Sequence, residues 1–425
     1  MPYMQKFKEL SFLVYGLGIS GQSAIKFLKK NNAKSIKAWD DNKKKLFKTY
    51  KPNDLRQTLK EVDYIVLSPG ISLYKNKSLR IFKKKIITDI DLFFASKNKF
   101  KTIVVTGTNG KSTTCKLIAH LLEKNKFKFK LGGNIGTPIL DLKNLKKNYV
   151  IIETSSFQLS HSKFICPDYA FFLNLTNDHL DWHGSMKHYF NSKLKIFDLQ
   201  TENQYAIINK KFKKIFKNKK FSSKLFFSKK NEYKKIKHKI KNKYLNSGIN
   251  DENMGFVYTF SKLLKIKEKS FISSMKSFKG LPHRFEIFLK KRYVTFINDS
   301  KATSFRSTEL ALNSLKNIYL IFGGLPKKND KTKLLKFKNN IKKCYIIGKN
   351  TNYFKRQIKG KFNFSITKNL KNSIIQILKD SKLQKNVNKN VLLSPAAASY
   401  DQFKNFEERG TEFKRLCKIY AKKFI

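Results

Sequence analysis

Lys111 stands directly before Ser112 and Thr113 in the run Val104–Thr114, V-V-T-G-T-N-G-K-S-T-T. A β-branched stretch precedes that run, and a helical pattern, Cys115 to Asn125, follows it. A strand–turn–helix of this kind frees backbone N–H groups to surround phosphate oxygens, and the helix N-terminus adds partial positive charge. Gly107, Thr108, Asn109 and Gly110 make the turn. Lys111 supplies a point charge for terminal phosphates, and Ser112 or Thr113 a hydroxyl for Mg²⁺. The usual template, G-x-x-x-x-G-K-[ST], loses its first glycine to Val105, so the loop is tighter. The pattern reads as an ATP site. An ordinary strand–turn–helix junction is the alternative, but it gives no reason for Lys before Ser-Thr.

Other candidates also follow apolar runs. Glu153 ends Tyr149–Ile152, putting a carboxylate where a strand leaves its sheet and where Mg²⁺ on ATP phosphates takes an oxygen ligand. Ser155 lies in the hydroxyl-dense stretch that follows. Within Asn174–His183, His179 is a candidate second metal ligand and Asp178 its orienting group; a lone histidine is more often a turn or core residue, and the ATP loop is what favours the ligand. In Asn298-Asp-Ser-Lys-Ala-Thr303, Asp299 suits a ribose contact or a base, and Lys301 and Thr303 suit a carboxylate. Capping by Thr303 or Ser304 of a helix Phe305–Leu315 explains part of the same pattern. Leu393–Gly410 places small residues and hydroxyls after one more strand, for ligand approach or for close helix–sheet packing. Gly16-x-Gly18-x-x-Gly21, with Asp40 and Asp41 closing the next strand, matches the diphosphate fingerprint. NAD and a UDP-sugar fit it equally, and a tight turn without ligand fits as well. Ser68-Pro69-Gly70 lines the same crevice in either liganded reading.

Elements alternate strand and helix nearly throughout, which predicts an α/β protein with parallel sheets. Strands are expected at Phe12–Tyr15, Ser35–Trp39 and Tyr64–Leu67, with a helix Ser23–Asn31, in a first unit, residues 1–95. Thr102–Val105, Tyr149–Ile152, Tyr169–Leu173 and Tyr205–Ile208 belong to a second, 96–280. Val294–Ile297, Ile318–Phe322, Tyr345–Ile347 and Val391–Leu393 belong to a third, 281–425, ending in a long amphipathic helix. Lys279-Gly-Leu-Pro-His-Arg284 reads as the junction before it. Lys210 to Lys243, rich in Lys, Asn and Phe, is expected to be an irregular, solvated excursion.

With 425 residues the chain exceeds one ordinary core. Its net charge of +62 invites a nucleic-acid or membrane reading. The excess is nearly all Lys, runs end to end and travels with Asn, Ile, Phe and Tyr, as A/T-rich codons dictate. Arginine, which reads bases and forks onto phosphates, is scarce. No specific nucleic acid is expected. Cys115, Cys166, Cys344 and Cys417 form no C-x-x-C pair, which fits a reducing compartment. No stretch reaches the roughly 18 apolar residues of a membrane helix, so no membrane insertion and a cytoplasmic location are expected.

Taken in order, G-L-G-x-S-G at Gly16, S-P-G-I at Ser68, T-G-T-N-G-K-S-T at Thr106, E-T-S-S-F-Q-L at Glu153, N-D-H-L-D at Asn177, L-P-H-R-F at Leu281, N-D-S-K-A-T at Asn298 and S-P-A-A-A-S-Y-D-Q-F-x-x-F-E-x-R-G at Ser394 form a series. It resembles the Mur ligases of peptidoglycan synthesis, specifically those that add D-glutamate. The likeness covers nearly the whole chain and is thinnest between Lys210 and Lys243. It implies three domains: a Rossmann-like N-terminal domain for the UDP-substrate, a P-loop-type central ATPase domain, and a Rossmann-like C-terminal domain for the amino acid. It implies an ADP-forming, monomeric ligase joining D-glutamate to UDP-N-acetylmuramoyl-L-alanine through an acyl phosphate, with ATP and two Mg²⁺.

By that family's pattern Ser112 and Glu153 serve one metal and His179 the other, and Lys111, Glu153, His179 and Lys193 form the catalytic set. Lys193 sits where the family has a carbamylated lysine; Lys195 is two residues on, but the register favours Lys193. Gly18, Ile19, Ser20, Ser68, Gly70, Asn134 and Ser155 match positions for the sugar nucleotide. Asn250, Asn253, Arg284 and Asp299 match positions around ATP, and Lys301, Thr303, Lys327, Ser399, Tyr400 and Phe406 positions around D-glutamate. Three departures stand out. Ser247 and Ile249 replace the Gly and His of a G-x-H-N segment, Gly323-Gly-Leu-Pro precedes Lys327 without the expected Asp-Gly, and Asp40-Asp41 lacks a following hydroxyl. An NAD-dependent dehydrogenase would explain the glycine fingerprint but not the ATP loop. A nucleic-acid ATPase would explain loop and charge but not the third unit's polar cluster.

Overall fold

A computed structural model of the protein describes residues 7–42, 50–96, 100–219, 221–242, 244–245, 248–327, 334–382 and 387–424. Three sheets organise them. The first comprises β1 (Ser11–Tyr15), β2 (Ser35–Trp39), β3 (Tyr64–Leu67) and β4 (Ile86–Ile87), in the order β2-β1-β3-β4. The second comprises β5 (Lys101–Thr106), β6 (Phe129–Gly133), β7 (Tyr149–Glu153), β8 (Tyr169–Phe172), β9 (Tyr205–Ile208) and β10 (Lys224–Phe227), in the order β10-β9-β8-β5-β7-β6. Every pairing in these two sheets is parallel. The third comprises β11 (Glu286–Lys291), β12 (Val294–Asn298), β13 (Ile318–Gly323), β14 (Ile341–Ile347), β15 (Phe364–Lys368) and β16 (Lys389–Leu393), in the order β11-β12-β16-β13-β14-β15. Its edge strand β11 runs antiparallel to β12 and departs from the all-parallel expectation. An edge position tolerates this, since β11 is only partly buried and reaches β12 by a short hairpin.

The expected α/β class holds, and the strand order explains where ligands can bind. In open parallel sheets the crevice lies beyond the carboxyl ends of strands where the winding reverses. That point is β1 in the first sheet, flanked by β2 and β3, and β5 in the second, flanked by β7 and β8. Gly16–Gly21 follows the one and Gly107–Lys111 the other. The second sheet is anchored by Ile103, Val104 and Val105, all fully buried. Helix Lys111–Lys124 turns Cys115, Leu117, Ile118, Leu121 and Leu122 inward at three- and four-residue spacing. Each such Leu or Ile contributes about 1.5–3 kcal/mol of burial, which fixes the helix start beneath the loop.

The stretch 210–243 corrects the expectation of an irregular excursion. Its described residues include helix Lys213–Asn218, strand β10 paired with β9, and helix Lys230–Ile240. Tyr233, Ile236 and Ile240 are buried on that last helix while lysines occupy its outer face. The apolar stripe is narrow, and the lysines around it mask it in a composition count.

By internal contacts the chain separates into two compact units, residues 1–240 with 252–277, and residues 241–251 with 278–425. The first holds two sheets, the second one. No helix among the described residues is long and apolar enough to cross a membrane.

Candidate active site

The loop after β5 is held open by its neighbours. Thr108 N–H bonds the Asn174 carbonyl at 3.0 Å, and Asn109 N–H bonds Asn174 Oδ1 at 2.9 Å. The Thr108 hydroxyl meets Tyr189 Oη at 3.0 Å. Gly110 caps helix Lys111–Lys124 at φ 84°, and a Cβ there would sit 2.2 Å from Asn253 Oδ1, so only glycine fits. The helix therefore begins four residues earlier than its apolar pattern, with Ser112 and Thr113 buried in the first turn. The amides of a first turn have no partner within their own helix. Lys111 folds back, its Nζ 3.0 Å from the Gly107 carbonyl and 2.9 Å from that of Thr108.

Glu153 closes β7 and is buried. Asn134 donates Nδ2 to its Oε1 at 3.0 Å, while Oε2 is buried with no hydrogen-bond partner among the described residues. An unsatisfied buried acceptor costs about 1–3 kcal/mol, which a cation beside Oε2 would offset. Ser155 is the N-cap of helix Ser156–His161 in a capping box with Gln158, so its hydroxyl has a structural task. His179 adopts φ 54° ahead of helix Leu180–His183, with its ring centroid 4.7 Å from that of Phe157. Its Nε2 lies 3.5 Å from Asp178 Oδ2. No group of three or more His, Cys, Asp or Glu gathers as a metal site among the described residues. The predicted ligands differ in kind: a hydroxyl, one carboxylate, one imidazole and one lysine.

Lys193 is the most unusual of them. It is 1% exposed, donates Nζ to the Gly107 carbonyl at 2.9 Å, and lies 4.8 Å from the Tyr189 ring centroid. Burial, then the charge of Lys111, push its amine well below the usual lysine range, against the opposing pull of Asp178 and Glu153. Lys195 points elsewhere, bonding the carbonyls of Ser160 at 2.7 Å and Ser162 at 3.0 Å.

At the first sheet, Gly21 approaches the Gly16 carbonyl so closely that a Cβ would lie 1.9 Å from it. Ser68 donates its hydroxyl to that same carbonyl at 2.6 Å. Asp40 accepts from Leu17 N–H at 2.6 Å, and Asp41 from Tyr15 Oη at 2.7 Å. The acids thus brace the turn. Gly18 caps helix Ile19–Lys30, where Ile19 is 77% exposed, and a Cβ on Gly70 would meet nothing within 4 Å. The helix starts ahead of the expected Ser23 because its first turn faces open space.

The second unit gathers its own set. Asp299 accepts from Phe285 N–H at 3.1 Å and from the Ser394 hydroxyl at 2.8 Å. Burial raises its carboxyl to about 7 against those bonds and the charge of Arg284. Lys301 Nζ lies 3.7 Å above the Phe406 ring. Ser304, not Thr303, caps helix Phe305–Leu312. Leu325 and Ala398 form an antiparallel bridge, which ties the segment before Lys327 to the one before Ser399. Ser399 is buried and Tyr400 is 72% exposed. Asn250 Nδ2 donates to the Tyr244 carbonyl in this unit, whereas Asn253 belongs to the first. Ser247 and the side chain of Ile249 lie outside the described residues.

One residue was given no role by sequence reasoning although its motif was read. Arg409 is 1% exposed, with Nε 3.0 Å from Ser300 Oγ and Nη2 2.8 Å and 3.0 Å from the carbonyls of Ser300 and Ala397. Burial lowers its guanidinium to about 10. It ties the loop after β12 to the loop after β16; a lone Arg in F-E-x-R-G was the only hint.

Comparison with known proteins follows this geometry. Residues 105–273 match the Mur ligase middle domain. The chain is 37% identical over 445 residues to the UDP-N-acetylmuramoylalanine–D-glutamate ligase of Rickettsia prowazekii (strain Madrid E), covering 98% of this chain and 99% of that protein. It is 34% identical over 491 residues to the ligase of the same name from Wolbachia sp. subsp. Brugia malayi (strain TRS), covering 99% and 97%. In structure it is similar to the MurF ligase from Thermotoga maritima in complex with ADP, with a TM-score of 0.57 at 17% identity over 100% of this chain and 97% of that one.

Proposed function

The chain belongs to the UDP-N-acetylmuramoylalanine–D-glutamate ligases, and from that premise we propose which of its residues carry the reaction. The enzyme adds D-glutamate to UDP-N-acetylmuramoyl-L-alanine at the expense of ATP in peptidoglycan synthesis. The observation that carries the residue assignment is the juxtaposition of an open phosphate-type loop, an unsatisfied Glu153 oxygen and a buried, easily deprotonated Lys193.

In this reading the amides from Gly110 to Thr113 grip the ATP phosphates, since those of Thr108 and Asn109 are held by Asn174, and Lys111 swings from its loop carbonyls onto the terminal phosphate. The substrate carboxylate attacks that phosphate to give an acyl phosphate and ADP; the D-glutamate amine then displaces phosphate. Glu153 Oε2, the Ser112 hydroxyl and His179 Nε2 would hold two Mg²⁺, whose charge offsets that of the transferring phosphoryl group. Unmodified Lys193 does not fit beside such cations, but its carbamate does. A neutral amine adds CO₂ to give an N-carboxylate and releases one proton, and the surroundings of Lys193 favour that neutral amine. Asn134 keeps Glu153 oriented, and with Gly18, Ile19, Ser20, Ser68, Gly70 and Ser155 it faces the sugar nucleotide. Asn250, Asn253, Arg284 and Asp299 serve ATP; Lys301, Thr303, Lys327, Ser399, Tyr400 and Phe406 serve D-glutamate.

We assign the three sheets to three domains, 1–95, 96–280 and 281–425, supported by one sheet in each, although 241–251 and 278–280 group with the C-terminal unit. A cytoplasmic monomer suits charged nucleotide substrates. The test is phosphate release with UDP-N-acetylmuramoyl-L-alanine, offering D-glutamate against L-glutamate, L-alanine and diaminopimelate. Release with D-glutamate alone is expected. No release with any, from folded protein, overturns the assignment.

A further inference from the structure

The edge hairpin of the third sheet is entered through a turn with unusual backbone. His283 has φ 61° and Phe285 φ 48°, so two bulky residues lie in the left-handed region on either side of Arg284. That region is uncommon outside glycine, and a large side chain stays there only where its surroundings over-determine it. Here they do. The His283 N–H donates to Glu286 Oε2 at 2.9 Å, and the Phe285 N–H to Asp299 Oδ1 at 3.1 Å. The His283 carbonyl accepts from Lys301 N–H at 3.0 Å, and the Arg284 N–H donates to the Leu281 carbonyl at 3.3 Å. All three amides of the turn are taken within the protein. The turn therefore offers a ligand no backbone N–H; what it fixes is the direction in which Arg284 leaves the chain.

Glu286 is the hub of this arrangement. It opens β11 opposite Asn298 of β12, at a sheet edge where a carboxylate is ordinarily left to water. Its side chain instead takes three donors: His283 N–H, Asn298 Nδ2 at 3.2 Å and, on Oε1, Lys414 Nζ at 2.8 Å. Asn298 is fully buried, and Ser300 N–H on its Oδ1 at 3.2 Å sets its orientation. Its Nδ2 is thereby left toward Glu286, toward His283 Nδ1 at 3.0 Å and toward the Gly410 carbonyl at 3.1 Å. A Cβ on Gly410 would lie 2.2 Å from that ring nitrogen, so helix Phe406–Phe424 closes the far side of the turn. Of the two acids that hold the left-handed residues, Asp299 is already assigned to ATP, whereas Glu286 has no task. We propose that Glu286 is a positioning residue for the ligase reaction, holding the His283–Phe285 turn so that Arg284 is aimed for ATP. The proposal rests on the reading that Arg284 serves ATP.

The test is steady-state phosphate release by the full-length protein, with ATP varied and the other two substrates saturating. Glu286→Ala should raise KM for ATP about tenfold, with kcat and the KM for the sugar nucleotide changed less than about twofold, the pattern of lost binding. Glu286→Gln keeps an oxygen for the His283 N–H and should bring KM back to within about threefold of the parent. Lys414→Ala removes only a part-exposed ion pair and should leave KM as it is. In an Arg284→Ala background Glu286→Ala should add nothing, because its effect runs through Arg284. Should Glu286→Ala fail to fold, Glu286→Asp, which keeps the charge but draws the oxygens back from His283, replaces it in both backgrounds with the same expected direction. An unchanged KM, an equal rise for the sugar nucleotide, a full effect in the absence of Arg284, or a Lys414→Ala effect as large as that of Glu286→Ala overturns the proposal. If Arg284→Ala itself leaves KM for ATP unchanged, the ATP assignment of Arg284 falls and the proposal with it; a raised KM there beside an inert Glu286→Ala strikes the proposal alone.

Discussion

Two acids stand at the carboxyl ends of parallel strands in the two units, Glu153 on β7 and Asp299 after β12. Both follow apolar runs, and both looked alike as strand-end carboxylates. Asp299 has each oxygen occupied, one by Phe285 N–H and one by the Ser394 hydroxyl. Glu153 has one oxygen on Asn134 and one with no hydrogen-bond partner among the described residues. The buried cations differ in the same sense. Arg409 bonds three protein oxygens, whereas Lys193 holds one carbonyl closely and one hydroxyl at 3.5 Å. Position at a strand end therefore does not distinguish a carboxylate that could hold a cation from one that could not. Unfilled hydrogen-bonding capacity does.

The contrast breaks first at Lys193. Lys193→Ala should cut phosphate release at least about 100-fold with the fold intact by circular dichroism. Undiminished turnover that ignores bicarbonate would refute the carbamate. Glu153→Gln keeps size and the Asn134 contact, so it should lose about 100-fold in turnover and demand more Mg²⁺ while stability holds or rises. An unchanged Mg²⁺ requirement would move Glu153 to the structural side. Gly110→Ala forces a Cβ into the left-handed region against Asn253 and should cost about 1–3 kcal/mol, read as a lower thermal midpoint and weaker ATP binding.

The smallest effect belongs to Asp299. Its carboxyl titrates near 3.8 when unfolded and is raised to about 7 in the fold. The folded chain thus keeps a proton that the unfolded chain has released, so stability from this group falls as pH climbs from about 4 to about 7. Asp299→Asn should flatten that slope, shrinking the midpoint difference between about pH 5 and about pH 7 by a few degrees. An unaltered slope would assign the titration elsewhere.

Strand positions were plainly legible: Ser35–Trp39, Tyr64–Leu67 and Tyr205–Ile208 have the bounds that their apolar runs predict. Helix starts were not, because Lys111–Thr114 and Ile19–Gln22 place polar or exposed residues in the first turn and leave the apolar period silent. Helix Lys230–Ile240 was hidden by its lysines, and β11 by its half-buried edge pattern. The candidate site was legible where chemistry sits within one short run, as at Gly107–Thr113. It was not legible where function depends on what a side chain fails to touch, as for Glu153 Oε2.

The assignment of residues 241–251 to the C-terminal unit, before the chain returns for 252–277, interlaces the two halves in sequence. Asn242 bonds the Phe278 carbonyl on one side of this weave, while Asn253 fills the space over Gly110 on the other. No single proteolytic nick can release both halves whole. Severing at 240 strips the nucleotide loop of its covering helix, and severing at 277 leaves the C-terminal half short of the strip that closes it. Autonomous fragments would need a re-spliced backbone.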